Sequence, residues 1–236
     1  MIRIEHTEVL GWEAAIRGMR NPMNSWDKTD SYWGLLEEPS PINPDDEPFF
    51  FVGDNDLDLM KRLCKAGTDH RKFMRMIVVY CDITAPLYWW KEFDTYKVGT
   101  VSNSCSTMHK IHSKEFTRDD FSMEHLLGDD VTPDHAYQAS TYVMDETIQY
   151  LNFWREEFLE HYPERTQFDL VDAKDAWWQM IQMLPTSYNQ KRTVMLNYEV
   201  LANIYKSRKN HKLDCWRELC SWITSLPYSE IITGEE

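Results

Sequence analysis

The run from Met76 to Ile83 (MIVVYCDI) constrains the fold more than any other stretch of this chain. Its side chains are β-branched or aromatic and almost unbroken in apolar character, the pattern of a central strand covered on both faces. Ala85 and Pro86 follow, and the proline suits the first turn of a helix that continues to about Asp94. A buried strand feeding a helix therefore sets the centre, and the remaining segments must supply its neighbours.

Those neighbours are legible from periodicity. IRIEHTEVL alternates apolar and polar side chains as a strand does, and Trp12 to Met19 forms a short helix ending near Asn21 and Pro22. Glu37 to Pro48, with four prolines and five acids, reads as an exposed loop too short to link domains. Asp54 or Asp56 can cap a helix with Leu57, Met60, Leu63 and Cys64 on one stripe, closed by Gly67. Lys110 to Pro133 carries mixed signals and reads as a short helix between loops.

A long helix spans about Ser140 to Tyr162, with Met144, Ile148, Leu151, Trp154 and Phe158 on its apolar stripe and Pro163 beyond its end. Val171 to Leu184 is a second helix, stopped by Pro185. Arg192 to Leu196 has strand character, and Asn197 begins a helical run that kinks around Arg208 to His211. Beyond the kink, Trp216, Leu219, Cys220, Ile223 and Leu226 repeat at helical spacing. Helices grouped around strands without regular βαβ alternation predict an α+β architecture, a central sheet with flanking helices, in a single domain over residues 1–236.

Composition narrows the partners. Lys and Arg total 25 against 39 Asp and Glu, and a net charge of -14 repels a polyanion, which argues against duplex nucleic acid. A small phosphorylated ligand is compatible, since one Arg and a few backbone N–H groups hold a phosphate within an acidic protein. The five cysteines include no C-x-x-C pair and leave one over, so reduced thiols in a cytoplasmic setting are expected. No stretch approaches a membrane span of about 20 apolar residues. Ten Trp, twelve Tyr and twelve Met point to subunit contacts as well as to a core.

Two separated segments carry a resemblance. In the first, His70, the strand Met76 to Thr84 and Ala85-Pro86 stand in the order and spacing of the flavin-dependent thymidylate synthases. In the second, Leu184-Pro185, a short strand, Asn197, Asn203 and Arg208 follow that family's C-terminal third, with one extra residue between Pro185 and Asn197. Ala14 to Ser25 is similar to the family's N-terminal helix. The family's signature Arg-His-Arg-x-x-Ser-x-Asn-Glu-x-Ser-x-Arg is largely rewritten: its positions read Thr95, Tyr96, Lys97, Thr100, Ser102, Asn103, Cys105 and Thr107.

The resemblance implies a flavin-dependent thymidylate synthase-like fold, a homotetramer, FAD as cofactor, and one-carbon transfer or a related reduction on a pyrimidine nucleotide, with NADPH reducing the flavin. By position it implies flavin contacts at His70, Asn197 and Asn203, and nucleotide contacts at Arg208 and Lys97. At about 100° per residue, Asn197 and Arg208 nearly share a helix face while Asn203 points elsewhere. No catalytic residue is assigned. Thr107 and Ile181 stand where the family has arginines, Asn103 where it has a Glu, and Glu92 where it has a Gln. Each lost arginine removes charge-assisted hydrogen bonds worth roughly 1.5 to 3 kcal/mol to a phosphate, which argues against ordinary deoxyuridylate methylation. Two readings follow: a divergent enzyme, or a fold that has lost its chemistry and serves as a binding or regulatory protein.

Several residues admit plainer roles. Asn197 suits a helix cap, His70 a polar loop residue, Lys97 and Arg208 solvated surface charges. Cys105 as a nucleophile lacks a neighbouring His in sequence, and His109-x-x-His112 matches no metal-ligand spacing that would predict a metal. Trp89 and Trp90 fit a core or an interface better than a base-stacking platform.

Overall fold

The computed structural model describes residues 2–35, 48–134, 136–161 and 171–234. In chain order its elements are β1 (Arg3–Leu10), α1 (Trp12–Arg20), β2 (Tyr32–Gly34), β3 (Phe49–Phe51), α2 (Asp54–Lys65), β4 (Val78–Pro86), α3 (Leu87–Phe93), β5 (Val101–Ser104) and α4 (Thr107–Lys110). Then come α5 (Ser140–His161), α6 (Ala173–Met183), β6 (Asn189–Asn197), α7 (Tyr198–Arg208), α8 (Asp214–Thr224) and α9 (Glu230–Thr233). A four-stranded sheet has the order β1-β4-β6-β5, and β2 pairs antiparallel with β3. This is the α+β architecture expected. Most of the loop at Glu37 to Pro48, together with Tyr162 and Pro163, lies outside the described residues.

The chain divides into two compact units. One comprises Thr84–Phe93 and Ser104–Lys191. Its core is the stripe on α5: Leu151 is fully buried, and Met144, Ile148 and Phe158 pack with Ala176 and Met180 of α6 and with Phe116 and Phe121. Each such side chain contributes roughly 1.5 to 3 kcal/mol on burial. Asn152 ties the loop to the helix, accepting from the Phe116 N–H at 2.8 Å and donating to its carbonyl at 2.9 Å. Asp172 caps α6 by accepting from the Asp175 N–H. The segment expected to be a short helix, Lys110 to Pro133, holds two 3-10 turns at Arg118–Asp120 and Asp129–Val131 instead.

The other unit comprises Ile2–Ile83, Asp94–Asn103 and Arg192–Glu236. Within it β4 buries Val79, Cys81 and Ile83 at 0%, 1% and 0% exposure, whereas Tyr80 on the opposite face is 41% exposed. The expectation of cover on both faces is thus met on one only, because apolar composition does not reveal that alternate positions include Tyr80 and Asp82. Pro86 ends β4 rather than starting α3. The cap of α2 also differs: Asp54 and Asp56 lie inside its first turn, and the distant Asp30 accepts from the Asn55 and Asp56 N–H groups at 2.9 and 3.2 Å. Asp56, freed from capping, is fully buried and bonded to Arg20 at 2.6 Å.

Gly11 joins β1 to α1 at φ +95°, and a Cβ there would sit 2.2 Å from the Met76 carbonyl oxygen. Backbone cannot yield as a flexible side chain can. Gly11→Ala is therefore expected to cost about 2 to 4 kcal/mol from the clash and the left-handed φ together. Chemical denaturation measures this, and a loss below about 0.5 kcal/mol would contradict the close approach.

Candidate functional site

All five residues singled out by sequence lie in the unit that carries α7. Asn197 leaves β6 in extended conformation and caps α7, its Oδ1 accepting from the Val200 N–H at 3.0 Å. The cap starts a helix whose Leu201 and Ile204 are fully buried. The start is also held from outside: Tyr198 donates its hydroxyl to the Pro227 carbonyl at 2.6 Å and meets Trp12 edge-on at 5.2 Å.

Asp94–Asn103 runs beside this helix. Its start is anchored by Arg192, which bonds Asp94 at 2.7 Å. Gly99, at φ +77°, approaches so closely that a Cβ on it would lie 2.8 Å from Asn197 Nδ2. At the helix's other end Tyr96 accepts from Arg208 Nε at 3.0 Å. The Arg208 guanidinium also lies 4.4 Å above the Trp216 ring and 2.9 Å from His211 Nε2 through Nη1. Half-buried between a phenol, an indole and an imidazole, this arginine has lost most of the rotamer freedom a surface arginine would keep. Lys97, exposed, sits between Tyr96 and Gly99 in the same segment.

His70 and Asn203 belong to a different face. His70 is exposed in the turn after α2, where its N–H donates to the Gly67 carbonyl at 3.0 Å. The next residue, Arg71, grips the buried Glu199 in the first turn of α7, Nε to Oε2 at 2.9 Å and Nη2 to Oε1 at 3.1 Å. A carboxylate in a first turn also suits the helix dipole. Asn203, one turn further on, is exposed and opens with Thr68 and Arg71 into a cavity of about 380 Å³. The segment that carries His70 thus meets α7 through Arg71 and Glu199, and the segment that carries Lys97 meets it through Gly99 at Asn197 and through Tyr96 at Arg208.

Tyr96, Trp216, Arg71 and Glu199 make these contacts and were not singled out from sequence. No local signal marks them: Tyr96 lies 112 positions from Arg208 and Arg71 128 from Glu199, while Trp216 reads as one position of an apolar helical stripe. The rewritten positions have acquired structural work. Thr107 Oγ1 accepts from Gln190 Nε2 at 2.9 Å, and Ile181 packs against the α5–α6 core. Trp89 and Trp90 are core residues, at 0% and 1% exposure, edge-to-face with each other.

Burial pushes the Cys64 and Cys81 thiols up to about 12 and Cys220 up to about 11, so none of the three is a ready nucleophile at neutral pH. His112 packs its ring 4.5 Å from Phe158, and desolvation lowers its pKa. Among the described residues no group of three His, Cys, Asp or Glu could hold a metal ion.

No family model and no curated protein matches the sequence. Solved structures do match the fold. Thymidylate synthase X (ThyX) from Helicobacter pylori, crystallised with FAD and dUMP, aligns with a TM-score of 0.61 at 14% identity, over 98% of this chain and 96% of that one. The UMP/dUMP methylase PolB from Streptomyces cacaoi, bound with 5-Br dUMP, aligns with a TM-score of 0.57 at 13% identity, over 99% and 95%. At these identities the likeness establishes the fold: the chain adopts the ThyX fold with a divergent sequence.

Proposed function

On the ThyX fold, we propose that this chain binds a pyrimidine nucleotide beside α7, with Arg208 and Lys97 meeting its phosphate. The observation that carries this is the fixed guanidinium of Arg208. A cation held in place by Tyr96, His211 and Trp216 loses little further entropy when an anion arrives, which is how a single arginine can serve a phosphate in a chain of net charge -14. The proteins sharing the fold that were crystallised with dUMP or 5-Br dUMP make a pyrimidine nucleotide the first candidate.

The residues present also suit a flavin in part. Thr100 Oγ1 is buried without a hydrogen-bond partner, one residue from the glycine that touches Asn197, and a buried orphan hydroxyl is a donor that a bound group would satisfy. His70 and Asn203, both exposed, would hold the cofactor, with Asn197 fixing the helix from which Asn203 projects. A bound flavin would supply reducing equivalents for one-carbon transfer or a related reduction on the pyrimidine. Assembly as a homotetramer belongs to the same proposal, supported by the open face of β4 at Tyr80, and five cysteines outside any disulfide fit a cytoplasmic setting.

A second reading, a nucleotide-binding or regulatory protein without chemistry, is favoured by Thr107 and Ile181. The first is engaged by Gln190 and the second by the core, so neither position retains a cation for a transition state. Colour separates the two. As an enzyme of this kind the purified protein is expected to be yellow, with a flavin spectrum bleached by NADPH. Colourless protein that takes up no added FAD would remove the flavin and leave the binding function alone.

A further inference from the structure

We propose that a cavity walled by α1 and the β2–β3 pair binds a small planar aromatic carboxylate, its ring against Trp26 and Trp33 and its charge on Arg17. The cavity holds about 340 Å³, within the usual range for a small ligand. Ile16, Arg17, Trp26, Trp33 and Phe50 are among its walls, and none of the residues given above to a nucleotide or a flavin is.

Two indole rings are fixed here and yet left open. Trp26 Nε1 donates to Asn21 Oδ1 at 2.8 Å, and the 3-10 turn that carries the ring is bracketed by Arg20, which donates to the Ser25 and Lys28 carbonyls. Trp33 pairs with Phe50 across the two strands, the rings edge-on at 5.1 Å, and its Nε1 donates to Glu13 Oε2 at 3.4 Å. Each indole thus has its one polar atom met by the protein, while Trp26 stays 48% exposed and Trp33 59%. Ile16 and Phe50, both buried, add apolar wall. Rings held in this way lose little further entropy when an aromatic group stacks on them, and stacking takes apolar area out of water on both partners.

The ligand's charge follows from the donors left over. Arg20 is committed to the buried Asp56 and to its two carbonyls, so it brings the cavity no net charge. Arg17 is held less firmly: its ion pair with Glu13 is long, 3.8 Å, and exposed at both ends, the kind that contributes least. A guanidinium presents five N–H donors in a planar fork, so it can keep Glu13 and still take a second carboxylate. Glu13 already receives both Arg17 and the Trp33 indole, which leaves the unmet capacity at this rim to an acceptor rather than to a cation. The wall charges of Glu13 and Arg17 cancel, so the fork of donors, not a basic patch, selects the carboxylate. An aliphatic acid would satisfy Arg17 without the rings, and a neutral arene the rings without Arg17.

Calorimetric titration of the full chain at low ionic strength tests this, with naphthoate as the probe. Binding is expected, and weaker binding by on the order of tenfold for cyclohexanecarboxylate, which lacks the planar ring, and for naphthamide, which lacks the charge. Arg17→Gln and Trp33→Leu, both at exposed positions, are each expected to weaken naphthoate by a similar factor, with far-ultraviolet circular dichroism confirming that the variants fold. Saturating dUMP or FAD should leave naphthoate binding unchanged. No binding at millimolar naphthoate, or equal binding by either variant, would overturn the proposal. So would displacement by dUMP or FAD, which would give the cavity to the nucleotide or the flavin. A Trp33→Leu protein of lower oligomeric mass by light scattering would overturn it too, by assigning that ring to a subunit contact.

Discussion

Asp56→Ala is expected to destabilise the protein by about 3 to 5 kcal/mol, the range for removing one partner of a buried ion pair. Asp56 has no exposure and Arg20 only 4%, so the guanidinium would be left in the interior without its counter-charge. The pair is also a junction. Asp56 accepts from Arg20 Nε, from the Thr29 and Ser31 hydroxyls at 2.6 Å each and from the Asp30 N–H, while Arg20 donates to the Ser25 and Lys28 carbonyls. One carboxylate thereby orders the whole connection from α1 to β2. Burial pushes the Asp56 carboxyl up, but the bonds from Ser31, Thr29 and Arg20, with the Arg20 charge, outweigh it and hold it below its ordinary value of 3.8.

A depressed folded-state value fixes the sign of the pH dependence. The stabilisation is fully present above the unfolded-state value and is lost as pH falls through the lower, folded-state one. The deficit of Asp56→Ala against the unaltered protein should therefore be constant from pH 7 to about 5 and shrink below about 3.8. Urea denaturation across that range measures it. The pair Arg20→Met with Asp56→Leu should recover much of the loss, since a filled apolar site replaces the ion pair without leaving a charge behind. A deficit below about 1 kcal/mol at pH 7, or one that grows in acid, would show that Arg20 finds another partner.

The uneven legibility of the sequence has a physical cause. Elements set by periodicity, such as the α5 stripe of Met144, Ile148, Leu151 and Phe158, were readable because burial repeats along one helix. Asn197 was readable as a cap because capping is local, between residues three apart. Asp56 was not: its sequence neighbourhood suits a cap, and only the approach of Asp30 from 26 residues earlier releases it to pair with Arg20. The candidate site divides in the same way. Arg208, Asn203 and His70 are expected only from their order along the chain, whereas the Tyr96–Arg208 and Arg71–Glu199 contacts act across 112 and 128 positions. Contacts of that kind are made by the fold, so position along the chain does not reveal them.

Arg208→Gln is the second change with a large expected effect, on binding more than on stability. If a phosphate rests on this guanidinium, losing its charge-assisted bonds should weaken dUMP or UMP by on the order of 10- to 100-fold. The stability loss is smaller. The cation over Trp216 and the bond to Tyr96 are worth roughly 1 to 2 kcal/mol together, and Gln keeps part of the packing. Tyr96→Phe removes only the hydroxyl that orients Nε, so a milder loss of affinity is expected with the charge intact. Thermal-shift titrations with both nucleotides read the two effects separately, as the apo melting temperature and as the ligand-dependent increment. An Arg208→Gln protein with an unchanged increment would remove this arginine from the site.

Nucleotide binding beside α7 is tested most directly by a crystal structure of the protein grown with dUMP and FAD. Density for a pyrimidine nucleotide is expected with its phosphate against Arg208 and Lys97, and with the Tyr96, His211 and Trp216 contacts to the arginine preserved. A nucleotide bound elsewhere, or none at saturating concentration with Arg208 still closed on its aromatic partners, would contradict it.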